Sequence, residues 1–180
     1  MSLEIKKVKL SNKNVKKIYL EAFPKKERIP FFMMVLLTKI THTEFLAFYD
    51  KDLLCGFVYS ATIGNITYII FFAVDKDIRS KGYGSKILEE MQKLYPNNKI
   101  IITIERCDVE ATDIDDRIRR KNFYLKNGYV DTGALIKLNK KEQEKEIIIK
   151  NGNLDKEELF NFFVKYSNGT MKPKIWENNK

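Results

Sequence analysis

A series of hairpin-sized apolar segments ends at Val74, and the chain then turns through Arg79-Ser80-Lys81-Gly82-Tyr83-Gly84 into an amphipathic stretch. The strand-to-turn-to-helix passage carries two glycines where the helix begins, and such a start leaves backbone N–H groups unpaired at the positive end of the helix dipole. Glycines let that backbone wrap closely around a phosphate, and Arg79 and Lys81 add side-chain charge.

The segments before the turn restrict the fold further. Ile5 to Leu10 reads as a strand, with Ser11 or Asn12 placed to cap a helix. In that helix Val15, Ile18, Tyr19, Ala22 and Phe23 recur on one face, and Pro24 stops it. After a loop from Lys25 to Pro30, Phe31 to Ile40 reads as a short, mostly buried helix. Phe45 to Tyr49, Leu54 to Ala61 and Ile66 to Val74 follow as strands joined by Asp50-Lys51-Asp52 and Gly64-Asn65. A doubly wound nucleotide fold would alternate strand and helix from its start, so this meander argues against one.

Beyond the turn, Lys81 to Tyr95 predicts a helix burying Ile87, Leu88, Met91 and Leu94, stopped by Pro96-Asn97-Asn98. Lys99 to Ile104 is the next strand, parallel to the previous one because a helix crosses between them. A helix from Thr112 to Asn127 has Asp113, Asp115 and Asp116 near its start and Lys126 at its end, with Thr112 as the expected cap and Gly128 as the stop. Tyr129 to Leu138 and Glu146 to Lys150 read as an antiparallel pair, and Asp155 to Tyr166 as a last helix. Trp176 could anchor the tail, cover the cleft or contact a second subunit, with anchoring the default.

Other phosphate-binding motifs fit less well. No Gly-x-x-x-x-Gly-Lys-Ser/Thr string occurs. The dinucleotide fingerprint begins at Gly82 and Gly84, but its third glycine position is Ile87, although Glu105 lies where a ribose-binding acid is expected. The segment closely resembles the coenzyme A motif of the GNAT superfamily of N-acetyltransferases, Arg or Gln, two residues, Gly, any residue, Gly or Ala, which Arg79, Gly82 and Gly84 fill. A second block, Asn122 to Tyr129, is similar to the family's later helix ending in Tyr, three residues, Gly and an aromatic. The resemblance spans roughly Leu3 to Ile149.

That resemblance implies an α/β fold: a mixed, mainly antiparallel sheet with a central parallel, splayed pair, flanked by helices. It places a GNAT domain over residues 1–150, with residues 151–180 as a helix and tail packed on it. The implied activity is direct transfer of an acetyl group from acetyl-CoA to a primary amine, carried by a small molecule or a peptide. The backbone of Phe72, Ala73 and Val74 would pair with the pantetheine arm and support the thioester oxygen. Arg79, Ser80, Lys81, Gly82, Tyr83, Gly84 and Ser85 would hold the pyrophosphate. Tyr124 corresponds to the tyrosine that contacts the departing sulfur, where a hydrogen bond is the safer assignment than full proton transfer; helix packing is its alternative.

One departure from the family concerns the helix before Tyr124. Arg117 stands where the family often has an Asn that contacts the cofactor, and Arg120 where a small residue is usual. Both could pair with phosphates or simply face solvent. Glu105 is the candidate base; its alternative is a solvent-facing carboxylate paired with Arg106 or Lys99. The family's acceptor walls correspond to Phe23 to Met34, where Glu27 could receive a cationic amine or the loop could equally only cap and turn the helix, and to Asn139 to Lys145. A non-catalytic acyl-CoA sensor of the same fold is the rival function.

Charge and cysteine content limit the remaining classes. The net charge of +9 is concentrated at the start, with nine basic and three acidic residues in 1–28, against 15 and 14 in 29–138 and nine and seven in 139–180. No nucleic-acid motif accompanies it, so no nucleic-acid partner is expected. No apolar run approaches the ~18 residues of a membrane span, and no secretory leader is evident, so no membrane partner is expected. Cys55 and Cys107 form neither a disulfide framework nor a metal set, so no metal is expected and a cytoplasmic location is the simplest. The single histidine, His42, lies on a segment with no matched motif, and Cys107 reads as an ordinary cysteine rather than a nucleophile. A homodimer is left open.

Overall fold

In the computed structural model, which describes residues 2–140 and 142–178, the apolar segments become eight strands and five α-helices. The elements in chain order are β1 (Glu4–Lys7), α1 (Lys13–Ala22), α2 (Phe31–Ile40), β2 (Thr43–Asp50), β3 (Leu53–Ile63), β4 (Ile66–Val74), α3 (Tyr83–Leu94), β5 (Lys99–Glu105), α4 (Ile114–Lys126), β6 (Val130–Lys137), β7 (Lys145–Lys150), α5 (Lys156–Tyr166) and β8 (Lys174–Glu177). The strand order is β1-β2-β3-β4-β5-β7-β6-β8. The sheet is mixed, with β4 and β5 as its parallel pair.

The chain forms two compact units, Met1–Thr62 with Ile69–Pro96, and Ile63–Tyr68 with Asn97–Lys180. In the first, β1 pairs antiparallel with β2, and β2 with β3. Val15, Ile18 and Tyr19 of α1 and Phe31, Met34 and Val35 of α2 join Phe45, Phe57, Tyr59 and Phe71 in one core cluster. Tyr19 is its hub, with ring centroids 5.3 Å from Phe71 and 6.0 Å from Phe57, both edge-on. Its hydroxyl donates to the Ile29 carbonyl at 2.9 Å and accepts from the Ile29 N–H at 2.8 Å. Each ring so buried contributes roughly 1.5–3 kcal/mol, and the polar tip avoids the penalty of an unpaired hydroxyl.

Several first-unit expectations need correction. α2 has the predicted limits but is not mostly buried: Phe32, Met33, Leu36 and Ile40 are exposed. Hydrophobicity on every face marks a helix that something can cover, not the side that is covered. Leu94 is also exposed, because α3 ends there, and Ile87, Leu88 and Met91 form its buried stripe. The loop after Pro24 contains a 3-10 turn, Lys25–Glu27. Asn12 occupies the α1 cap position, yet its Oδ1 accepts from the Lys9 N–H at 2.6 Å rather than from the helix.

In the second unit, β7 lies between β5 and β6, antiparallel to both. The β6–β7 pairing is as expected, whereas the insertion of β7 against β5 has no local signal. β8 was not anticipated; it pairs with β6, placing Trp176 opposite Leu135 and so anchoring the tail. Asp155 caps α5 through the Glu158 N–H at 3.0 Å, and α5 buries Leu159, Phe162 and Phe163, the last two packing edge-on against Tyr68. The cap of α4 falls at Asp113 rather than Thr112.

Candidate active site

The first unit builds the glycine turn. Asp75 ends β4, and its Oδ1 accepts from the Asp77 N–H at 3.0 Å, closing a 3-10 turn over Lys76–Ile78 whose Ile78 is buried. The chain then passes through Ser80 at φ +64° and Gly82 at φ +81°, two left-handed residues separated by Lys81. Left-handed backbone at Ser80 is unfavourable by roughly 1 kcal/mol, so it is held there by its surroundings. Backbone of this kind turns successive N–H groups toward one concavity.

Gly82 caps α3 without a side chain, and Lys86 N–H donates to the Gly82 carbonyl at 3.2 Å as the helix begins. The N–H groups of Tyr83, Gly84 and Ser85 precede that bond and point out of the helix end. A Cβ on Gly82 would meet nothing within 4 Å, so its φ requires glycine there, not its space. Arg79, Ser80, Lys81, Gly82 and Ser85 are exposed, which leaves this end open to an anion. Tyr83 steadies the first turn: its hydroxyl donates to Asp50 Oδ2 at 2.8 Å, and Lys86 Nζ lies 5.0 Å from its ring centroid.

Phe72, Ala73 and Val74 form the end of β4, with the Ala73 side chain buried. Gly56 of β3, which sequence reasoning missed, lies directly against this stretch. A Cβ there would be 2.3 Å from the Ala73 carbonyl oxygen and 3.0 Å from Ile87 Cδ1. A lone glycine in a strand is the available sequence signal for such close backbone approach.

The second unit brings Glu105, Arg117, Arg120 and Tyr124 to the end of β5 and one side of α4. Glu105 is ion-paired with Arg120, fifteen residues away, and not with Arg106 or Lys99. Burial pushes the Glu105 carboxyl up, but the Arg120 guanidinium overrides it and leaves its pKa below the ordinary value. Arg117 pairs with Asp113 at 2.9 Å and donates to the Arg106 carbonyl at 3.2 Å. Both arginines therefore have carboxylate partners that a phosphate would have to displace.

Tyr124 is 6% exposed, with its ring edge-on to Phe123 at 5.3 Å and to Tyr129 at 5.7 Å. Burial pushes its phenol far above the usual value, and the nearby Arg120 charge offsets this only in part. The phenol is therefore neutral at physiological pH and suited to donating a hydrogen bond. Its position is fixed by the helix end: the Tyr124 carbonyl accepts from Asn127 and Tyr129 at 2.9 and 3.2 Å, and Gly128 follows at φ +78°.

Glu146, also missed, ties these pieces together from β7. Its Oε1 accepts from the Cys107 N–H at 2.8 Å, and its Oε2 pairs with Lys121 at 2.7 Å; Lys121 also reaches Asp131 at 2.5 Å. The buried carboxylate thus links the chain just beyond Glu105 to the α4 turn that precedes Tyr124. Burial raises the Cys107 thiol above its usual value, which argues against a thiolate nucleophile. His42 lies in the first unit on a polar cavity of about 430 Å³, beside Thr41, Glu44 and Tyr95. Among the described residues, no group of three or more His, Cys, Asp or Glu side chains could hold a metal ion.

The family model described as an acetyltransferase (GNAT) domain matches residues 41–131, half of the chain and the stretch that carries the turn, Glu105 and Tyr124. The chain belongs to the GNAT acetyltransferase family. It is similar in structure to a protein of Bacteroides thetaiotaomicron assigned to that family, at TM-score 0.73 and 21% identity over 93% of this chain and 99% of the other. It is also similar to an aminoglycoside 6'-N-acetyltransferase complexed with coenzyme A, at TM-score 0.60 and 16% identity over 82% and 96%. The PaiA N-acetyltransferase of Thermoplasma acidophilum, in complex with coenzyme A, matches at TM-score 0.54 and 16% identity over 83% and 99%. No curated protein sequence matches the chain.

Proposed function

We propose that this protein is an N-acetyltransferase that moves the acetyl group of acetyl-CoA directly to a primary amine. The observation that carries this reading is the turn from Arg79 to Ser85, where two left-handed residues lead into a helix end without a side-chain cap. Peptide N–H groups there suit a pyrophosphate, and Arg79 and Lys81 supply charge-assisted contacts. The coenzyme A complexes of the aminoglycoside and PaiA acetyltransferases support the same cofactor here.

In the reaction the ammonium first loses one proton; the amine nitrogen then bonds to the acetyl carbon, the carbon–sulfur bond breaks, and the second proton shed by that nitrogen leaves coenzyme A as the free thiol. For a lysine-like amine of pKa ~10.4, the first deprotonation costs about 4–5 kcal/mol at pH 7. Glu105 takes the proton directly or through water; Arg120 keeps it ionised, and therefore available, but also makes it a weaker base. Backbone N–H groups among Phe72, Ala73 and Val74 stabilise the charge that develops on the thioester oxygen. The neutral Tyr124 phenol donates a hydrogen bond to the departing sulfur.

The Glu105–Arg120 ion pair also favours a second reading, an acyl-CoA sensor of the same fold, because it occupies the one candidate base. Thiol release from acetyl-CoA over a broad panel of amines, together with calorimetric titration of acetyl-CoA, tests both. The enzyme reading expects turnover that Tyr124→Phe lowers by about ten- to a hundredfold, with the KM for acetyl-CoA nearly unchanged. Binding with background turnover across the panel would leave the sensor, and absence of binding would remove both.

A further inference from the structure

We propose that the outer face of α1 and α2 docks on an anionic membrane surface. Both helices press one side into the same core cluster, Val15, Ile18 and Tyr19 from α1 and Phe31, Met34 and Val35 from α2, so their opposite sides face outward together. On α2 that outward side is apolar: Phe32, Met33, Leu36 and Ile40 are 59%, 40%, 51% and 70% exposed. The spacing of 32, 36 and 40 sets three of them along one ridge, a contiguous stripe of the kind that marks an interaction surface.

The charge around the ridge identifies what it meets. From Lys13 to Ile40 the chain carries seven basic and two acidic residues. Lys13, Lys16 and Lys17 stand exposed on α1, Lys25 and Lys26 on the connection, and Lys39 beside Ile40 on α2 itself. An apolar ridge with Lys39 beside it, on a segment this rich in exposed lysine, complements a surface of acyl chains and anionic headgroups. A second copy of the chain would bring the same lysines against one another across a two-fold axis. An acidic protein would meet few polar groups on the ridge, since the Thr38 hydroxyl is already bonded to the Val35 carbonyl at 2.8 Å, whereas protein interfaces carry about one hydrogen bond per 100–200 Å². No helix among the described residues is long and apolar enough to cross a membrane, so the contact is peripheral.

Co-sedimentation of the full chain with phosphatidylcholine vesicles, plain or containing about one third phosphatidylglycerol, tests this. The expected result is binding to the anionic vesicles about tenfold or more above the neutral ones, weakening as salt is added. Leu36→Asp and Phe32→Asp should each abolish it without moving the thermal midpoint, because both side chains already face solvent. Equal or absent binding to the two vesicle types overturns the proposal. So does binding that Leu36→Asp leaves intact, which is bare charge attraction. A dimer in solution that Leu36→Asp dissolves, without vesicle binding, assigns the ridge to a second copy instead.

Discussion

Gly56 lies so close to Ala73 that a methyl group on its Cα would stand 2.3 Å from the Ala73 carbonyl oxygen. Because the obstacle is backbone, Gly56→Ala must displace the end of β4. The expected loss is about 2–3 kcal/mol of stability in urea titration, as overpacking in a rigid core costs. If Ala73 backbone supports the thioester, turnover should fall further than stability loss alone accounts for.

Arg79 is exposed at the turn, so its removal should leave folding untouched. Arg79→Gln is expected to raise the Kd for acetyl-CoA by about ten- to a hundredfold, the worth of one charge-assisted contact, with thermal midpoint unchanged. Titration at two salt concentrations should show a shallower salt dependence in the variant. An unchanged Kd would detach Arg79 from the cofactor.

The Glu105–Arg120 pair predicts the acid limb of the pH–rate profile. Arg120 holds Glu105 below the ordinary carboxylate value against the opposing effect of burial. Activity that needs ionised Glu105 should therefore persist below the usual carboxylate range in the parent protein. In Arg120→Gln burial is opposed only by a backbone hydrogen bond and the Lys145 charge, so the limb should move to higher pH. A limb that stays in place would remove Glu105 as the base.

Buried tyrosines predict the alkaline limit of stability. Tyr68 is pushed up to about 12 by burial, and Tyr95, Tyr124 and Tyr129 are raised further, also chiefly by burial. Below the unfolded phenol value of ~10 both states are protonated, so stability does not depend on these groups. Above it only the unfolded chain releases the protons, and stability should fall by roughly 1.4 kcal/mol per pH unit for each phenol that stays neutral. Chemical denaturation from pH 8 to about 12 measures the slope.

How much of this was legible in the sequence depends on the range of the interactions. β4 kept the limits Ile66–Val74 because a continuous apolar run between turn residues is a local signal, and the glycine turn lies between β4 and α3 where its letters placed it. β8 has four residues, only partly buried, and exists through pairing with β6 some forty positions earlier. The exposure of α2 was hidden because a helix with apolar residues at eight of ten positions carries little indication of which side is covered. In the candidate site Arg120 and Glu146 were unreadable as partners: each role depends on a contact fifteen or more residues away, in a strand order that places β7 before β6.

That order leaves β1 and β8 as the outermost strands. Each has four residues, and their exposed side chains include Glu4, Lys6 and Lys7 on one and Lys174 and Glu177 on the other. An incoming strand would find few free backbone groups to template it, and charges that lose hydration as it pairs. The borders of the sheet therefore resist self-propagating strand addition, which protects a chain this rich in β-structure from fibrous aggregation at high concentration.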